Sequence, residues 1–470
     1  MGTWQVVLTV LAMSGPLGAV AGVLPLVISE GNGAGAPGAY AVMGVILLLF
    51  AVGFTTMARH FPRTGAFYAY ITGGLGRPLG LGAAYIAQLG YLTLLVGTYA
   101  FFADQLNVLL RSMLGTANVP WWVWAGALWV LVTALGHFNV ELSGRVLSAM
   151  MCLEVAIVLV FDVPMLSTGG PRGWQLYSFT PHAFVSGPVG LAILFSSATF
   201  MGFEGTAIYR SEVRNPNKTI PRATYLAISL IGVFYVLTAW ALVTFYGVDG
   251  IKAAAAGNPS GLFADGVAHY AGALVAQVML CLVCTSLFAA TLSAHNPMAR
   301  YTFALAHDGI YPSVLARVHP KHRSPAIASA VTSLIAAAIQ VPFVVTGVNP
   351  VTFYSWMFAI GTYALLLCMA LTCLAVIVYF WRKNRAERPW NTIIAPSLGL
   401  IGLVIMLGIS SYYFPLLIDN NKVLAVVFQG LIAGLLILGV VLALIWRRTL
   451  PALYARIGGE DDPGKASSQD

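Results

Sequence analysis

Two long apolar stretches of this sequence are interrupted by small and helix-breaking residues. The first holds Ser14-Gly15-Pro16-Leu17-Gly18, and the second holds Phe195-Ser196-Ser197-Ala198-Thr199-Phe200-Met201-Gly202 followed by Phe203-Glu204-Gly205. An unwound turn inside an apolar helix leaves N–H and C=O groups without intrahelical partners. The half-helix that begins after such a turn offers partial positive charge to an anion such as a carboxylate. Carbonyls freed in the other break can accept from an ammonium group, so a zwitterion fits the pair of ends. For either stretch alone the competing explanation is that Gly and Ser let helices pack closely in lipid.

Acidic residues within apolar stretches are few. Glu154, in Met151-Cys152-Leu153-Glu154-Val155, places an ionisable group where it is costly and by default functional. It either takes up a proton during transport, because desolvation favours the neutral carboxyl, or pairs with a neighbouring cation. Glu204, within the second interruption, has three roles open to it: contact with an ammonium group, a bridge between helices, or a cap on the new half-helix. Asp104 and Asn107 read as solvated groups near a span end, and Glu212 with Arg214 as an inner gate or a solvated ion pair. Tyr91, Tyr235 and Trp240 either line a cavity or pack and anchor at interfaces.

The elements that carry these residues follow from composition. Hydrophobic residues make up 59% of the chain and charged residues 9%, with a mean hydropathy of +0.83, against about 25% charged in an average soluble domain. The apolar residues run in blocks of about 20, as spanning helices require. Helices satisfy their own backbone hydrogen bonds in lipid, and barrel strands would alternate instead of running apolar throughout. The net charge of +8 is scattered through short loops and forms no basic stripe, which argues against a nucleic-acid partner. Five cysteines lie in apolar stretches, and the Cys281/Cys284 pair, inside one span, reads as packing and not as a redox or metal site.

Twelve spans are expected near residues 5–29, 38–58, 80–110, 121–138, 144–166, 187–209, 225–247, 268–297, 326–347, 351–381, 393–415 and 423–446. An even number puts both termini on one side. If that side is the cytoplasm, all basic residues but Arg111, Arg172, Lys252 and Lys422 are cytoplasmic, the bias that the positive-inside rule demands. The two interrupted spans are the first and the sixth, which are equivalent positions if spans 1–5 and 6–10 form an inverted repeat. Paired broken helices of this kind point to a transporter site at the membrane midplane. Residues 1–457 therefore read as one transporter domain, with repeats near 5–166 and 187–381 and two further helices near 393–446. Residues 458–470 read as a disordered cytoplasmic tail.

A membrane enzyme would need a catalytic or metal-ligand constellation. His60, His137, His182, His269, His295, His307, His319 and His322 are instead dispersed among loops and span ends, with no HExxH or GxSxG. Neither a pore-lining repeat nor a ligand domain suggests a channel or receptor.

Three ordered motifs carry a resemblance. Gly202-Phe203-Glu204 through Ser211-Glu212-Val213-Arg214-Asn215-Pro216-Asn217-Lys218-Thr219-Ile220-Pro221-Arg222-Ala223 resembles the sixth-helix signature of the amino acid–polyamine–organocation (APC) transporters. Phe61-Pro62-Arg63-Thr64-Gly65-Ala66-Phe67-Tyr68-Ala69-Tyr70 resembles their segment after helix 2, and Ala306-His307-Asp308-Gly309-Ile310-Tyr311-Pro312 with His319-Pro320 their loop between helices 8 and 9. The resemblance implies an all-α membrane protein of the LeuT-type fold: a 5+5 inverted repeat plus two C-terminal helices, with substrate between broken helices 1 and 6. It places a substrate carboxylate at Ser14, Gly15 and Gly18, an ammonium at the carbonyls of Ser196, Ser197 and Ala198, and an aromatic gate at Phe200, with Gly202 and Glu204 beside them. Pro16 departs from the family's usual GSG-like pattern. Many members have Lys where this chain has Glu154, so the built-in charge is reversed and Glu154 becomes the candidate coupling residue. Thr285, Ser286, Thr291 and Ser293 resemble sodium-ligating hydroxyls, although such groups more often back-bond to helix carbonyls. The expected function is permease-type transport of a small neutral amino acid across the cell membrane without a cofactor, coupled to H+ in preference to Na+. An ethanolamine-like amine or a polyamine is the alternative substrate, and surrounding lipid is the other partner.

Overall fold

The computed structural model describes residues 2–61, 66–115, 119–138, 144–206, 213, 215–319, 325–383, 387–418 and 420–458. Glu212, Arg214, His322 and the tail after Gly458 lie outside them. Every regular element among the described residues is helical.

The first span is two helices, α1 (Thr3–Ser14) and α2 (Pro16–Leu26), separated by Gly15 at φ 56°, ψ 66°. That left-handed conformation costs an L-residue roughly 1–2 kcal/mol, and Pro16 then starts α2 where its missing N–H loses no bond. A wide turn over Val27–Asn32 leads into α3 (Ala36–His60), the second span. The chain continues through α4 (Ala66–Leu75), α5 (Arg77–Leu114), α6 (Trp121–His137) and α7 (Gly144–Thr168). After the short α8 (Pro181–Phe184), α9 (Val189–Ala198) ends in tight turns that run to Thr206.

The second half holds α10 (Pro216–Tyr246), α11 (Ile251–Gly257), α12 (Leu262–Ala271), α13 (Ala273–His307), α14 (Ala326–Val345) and α15 (Pro350–Lys383). The last elements are α16 (Ala395–Tyr413), α17 (Lys422–Thr449) and α18 (Pro451–Arg456). Ten stretches among the described residues are long and apolar enough to cross a membrane. One of them, Pro16–His60, joins half of span 1 to span 2, and the shorter Trp121–His137 supplies span 4. Twelve crossings result, as the sequence predicts.

Equivalent elements of the two halves pack on each other: α2 on α9, α3 on α10, α5 on α13 and α6 on α14. This is the pairing an inverted repeat produces. α5 is the central post, touching α4, α6, α13, α15 and α17. The outward face of α17 instead shows Val423, Val426 and Val427 to lipid, which costs nothing in hydrocarbon.

The connections and span 8 differ from the sequence expectation. α4, α11 and α12 are helices where only connections were expected, because runs of ten residues or fewer are too short to register as spans. Span 8 begins at Ala273 and reaches His307, beyond residue 297, since Arg300 and His307 extend a helix past the hydrocarbon at no cost.

Candidate functional site

At the α1–α2 break, backbone donors are scarce. Pro16 has none, and Ala19 N–H bonds the Gly15 carbonyl at 3.0 Å. That leaves Leu17 and Gly18, and Leu17 N–H donates to Glu154 Oε2 at 3.1 Å. Glu154 comes from the middle of α7 and is only 4% exposed. Its carboxylate thus sits at the positive end of α2, where the helix dipole stabilises an anion. The other flank of the break is α13. A Cβ on Gly15 would lie 3.4 Å from both Ala290 Cβ and Ser286 Oγ, and one on Gly18 would lie 3.0 Å from Leu287 Cδ2.

The α9 break carries its own anion. Gly202 takes φ 111°, and its N–H donates to Glu204 Oε2 at 2.9 Å. Tyr91 of α5 donates its hydroxyl to Glu204 Oε1 at 2.7 Å. Of the three roles open to Glu204, the described geometry contains two, the bridge between helices and the cap on freed backbone. The two breaks meet where Gly202 approaches Ser14, whose backbone N would be 3.9 Å from a Cβ on the glycine. Ser14 and Gly202 retain partial exposure, whereas Gly15 through Leu26 are all buried.

The hydroxyls at these positions are turned back on their own helices. Ser14 Oγ donates to the Leu11 carbonyl at 2.7 Å, and Ser196 and Ser197 both donate to Ile193 O, at 3.1 and 2.8 Å. The carbonyls of Ser196, Ser197 and Ala198 accept from Thr199 Oγ1, Phe200 N–H and Met201 N–H, at 2.7, 3.1 and 3.2 Å. The Ser197 carbonyl accepts from Thr199 N–H as well, so a second lone pair for a ligand is left at Ser196 and Ala198. The fully buried ring of Phe200 faces Gly44 of α3 and Gly232 of α10, 3.7 and 3.6 Å from the Cβ positions there. The aromatic pair beside α2 is Phe101 on Tyr354, with centroids 4.6 Å apart, and both press on Gly22.

Asp162, Tyr40 and Tyr354 add to what sequence reasoning picked out. Asp162, two turns beyond Glu154 on α7 and 3% exposed, accepts from Thr238 Oγ1 at 2.6 Å. It is a third buried intramembrane carboxylate, after Glu154 and Glu204, and its place within an apolar run was the signal that could have found it. Tyr40 stacks on Tyr235 at 5.3 Å, both fully buried, with Tyr354 near both. Tyr235 lies in electrostatic range of Glu154, so an aromatic wall adjoins the carboxylate. Thr285 and Thr291 back-bond to Leu282 and Leu287, whereas Ser286 faces the α1–α2 break. Asn107 is not a solvated group: it ties α5 to the Val119 backbone and to Trp124 Nε1.

A sequence profile of the family described as amino acid permease matches residues 7–451. This chain belongs to the amino acid permease family. Among amino acid permease relatives and their kin, the low-affinity putrescine importer PlaP of Escherichia coli K12 is 25% identical over 367 residues, which cover 75% of each chain. The branched-chain amino acid permease BcaP of Bacillus subtilis is 24% identical over 320 residues, covering 62% of this chain and 63% of that protein. In structure, MhsT in complex with L-phenylalanine superposes with a TM-score of 0.61 at 14% identity, covering 86% of this chain and 98% of MhsT. A manganese transporter of Eremococcus coleocola gives 0.55 at 16% identity over 95% of both chains. These likenesses are of fold, the LeuT type, and mark the chain as a multi-pass transporter and not an enzyme.

Proposed function

We propose that this permease is a secondary transporter that carries a small organic amine across the cell membrane by alternating access, with both termini in the cytoplasm. The observation that carries this reading is the bond from Leu17 N–H to Glu154. In a zwitterion site the start of α2 receives the substrate carboxylate; here the protein supplies that carboxylate itself. A substrate carboxylate would find one remaining donor, Gly18 N–H, and a like charge beside it. An ammonium group finds Glu154, the second lone pairs of the Ser196 and Ala198 carbonyls, and the faces of nearby tyrosines, which attract cations. The similarity to a putrescine importer agrees with this choice, and the scattered positive-inside pattern supports the orientation.

A neutral amino acid is the second reading, favoured by the family and by one feature of the same contact. Protonation of Glu154 releases Leu17 N–H and opens two adjacent donors to a substrate carboxylate, which couples uptake to H+ and leaves Na+ the lesser candidate. The test is uptake into proteoliposomes of labelled L-amino acids and their decarboxylated amines, with and without an inward proton gradient. Uptake of amines but not of amino acids supports the first reading; amino-acid uptake that needs the gradient replaces it with the second.

A further inference from the structure

Beyond the last span the chain folds back under the face that carries both termini. α18 lies beneath the connection between α3 and α5, and Ile457 just after it is fully buried among Tyr68, Leu81, Ala84 and Leu305. Gly458 N–H donates to Tyr68 Oη at 2.5 Å, and Tyr68 donates its own proton to Asp308 Oδ2 at 3.3 Å. Burial and the neighbouring Asp308 push the Tyr68 phenol above its ordinary range, so it stays a donor. Arg456 donates to the His307 carbonyl, where α13 ends, at 2.6 Å. Arg77, which opens α5, donates to the Ala455 carbonyl at 3.2 Å with its guanidinium 5.4 Å from the Tyr454 ring centre.

One short segment therefore joins α4, the start of α5 and the end of α13. Its hold is slight: Ile457 is the one buried side chain from Pro451 to Gly458, and Pro451, Ala452, Ala455 and Arg456 are exposed. The parts it joins also pack on one another, α5 on α4 and on α13. α3 packs on α9, α10, α15 and α16, and α4, which follows it in the chain, packs on α5 and α15. Rocking of α3 with the broken helices against the α5–α13 group would load α4, which the chain ties to α3 and packing ties to α5. A weak, local clasp on such a connection is the form a regulatory contact takes, since a small free-energy difference is enough to shift a two-state equilibrium.

We propose that α18 with Ile457 and Gly458 is a latch that pins α4 to the end of α13 and restrains opening of the α1–α9 site on the face of the termini. The latch acts at a distance, because α18 and α1 share no contact beyond isolated ones. It holds for any solute the site carries, and its test needs no substrate.

The reporter is Ser14→Cys, at a partly exposed position of the break, in full-length protein with Cys152→Ala removing the exposed native thiol. Vesicles are treated with a membrane-impermeant maleimide from the side of the termini. We expect Ile457→Asp, and separately a chain ending after Leu450, to raise the labelling rate at position 14 about fivefold, with Tyr68→Phe raising it about twofold and Ile457→Val leaving it unchanged. If hydrogen exchange rises in α4 while labelling at position 14 stays at the wild-type rate, α18 is local packing and the latch is overturned. The mild Tyr68→Phe variant decides the matter should either drastic variant fail to fold: no increase there also overturns it. Amine uptake assays do not enter, so a failure of the amine reading leaves this result standing.

Discussion

The two helix breaks use the same device with different ownership. At the α9 break the freed N–H of Gly202 is served by Glu204, two residues on in the same segment. At the α1–α2 break the freed N–H of Leu17 is served by Glu154 from another helix. The first arrangement travels with its own backbone and survives any motion of α9 that keeps the Tyr91 contact. The second holds only while α2 and α7 keep their present distance. An anion owned by the break stabilises it; an anion borrowed from a neighbour makes the break sensitive to position, protonation and competing charge. On this comparison we propose Glu154 as the switching group and Glu204 as the fixed one.

The largest effect that would sharpen the contrast is expected from Glu154→Gln. Its amide oxygen can still accept from Leu17 N–H, so the fold is kept while the charge is lost. Removing one partner of a buried charge pair costs about 2–5 kcal/mol, so amine uptake should fall at least about thirtyfold. Initial uptake rates at subsaturating solute, with monodispersity checked by size exclusion, measure this; Glu204→Gln falling further than Glu154→Gln would reverse the assignment of roles. Next in size is Gly15→Ala. The left-handed backbone costs the alanine roughly 1–2 kcal/mol, while its Cβ meets Ala290 and Ser286 at an ordinary contact distance of 3.4 Å. Thermal stability should drop by a few degrees and uptake by about tenfold, equally for every solute, because the substitution disturbs the break and not its charge.

The parts of this architecture that depend on local composition were legible in the sequence. Apolar length gave the spans, and Gly15-Pro16 marked the first break because few other residues tolerate a helix end there. The site was legible as an address but not as a wiring diagram. Glu154 was visible as a costly acid, yet its partner, Leu17, is 137 positions away, and only the packing of α7 on α2 brings them together. Phe200 was legible by its motif position, but the neighbours of its ring, Gly44 and Gly232, were not, because they come from two other helices. Asp162 lies within an apolar run, but its partner Thr238 is on another helix and only the packing shows its burial there. α4 and α12 were invisible for want of length, although α4 links α3 to α5 and packs on α5 and α15.

Two smaller substitutions probe the fixed side of the comparison. Tyr91→Phe removes one of the two donors to Glu204 and leaves Gly202 N–H in place. A hydrogen bond to a charged group contributes about 1.5–3 kcal/mol. Because the second donor remains, the lower end of that range is expected, read as a lower midpoint of thermal unfolding. Combined with Glu154→Gln it should act additively, since independent sites without shared partners add; a coupling above about 1 kcal/mol would mean that the two breaks form one network and that the distinction between owned and borrowed anions is too sharp.

The smallest effect is expected at Ser197, where the motif alone would have placed substrate contact. Its hydroxyl is fully buried and donates to the carbonyls of Ile193 and Leu194, both at 2.8 Å, within its own helix. Those carbonyls already serve the helix ladder, so Ser197→Ala removes a redundant bond and a small volume. Stability should change by no more than about 1 kcal/mol, and the affinity for amine by less than about twofold. Competition binding in detergent with a titrated amine measures it. A loss of tenfold or more would show that the hydroxyl leaves Ile193 when solute arrives, and the α9 break would then rearrange on binding as freely as the α1–α2 break, which would end the asymmetry between them.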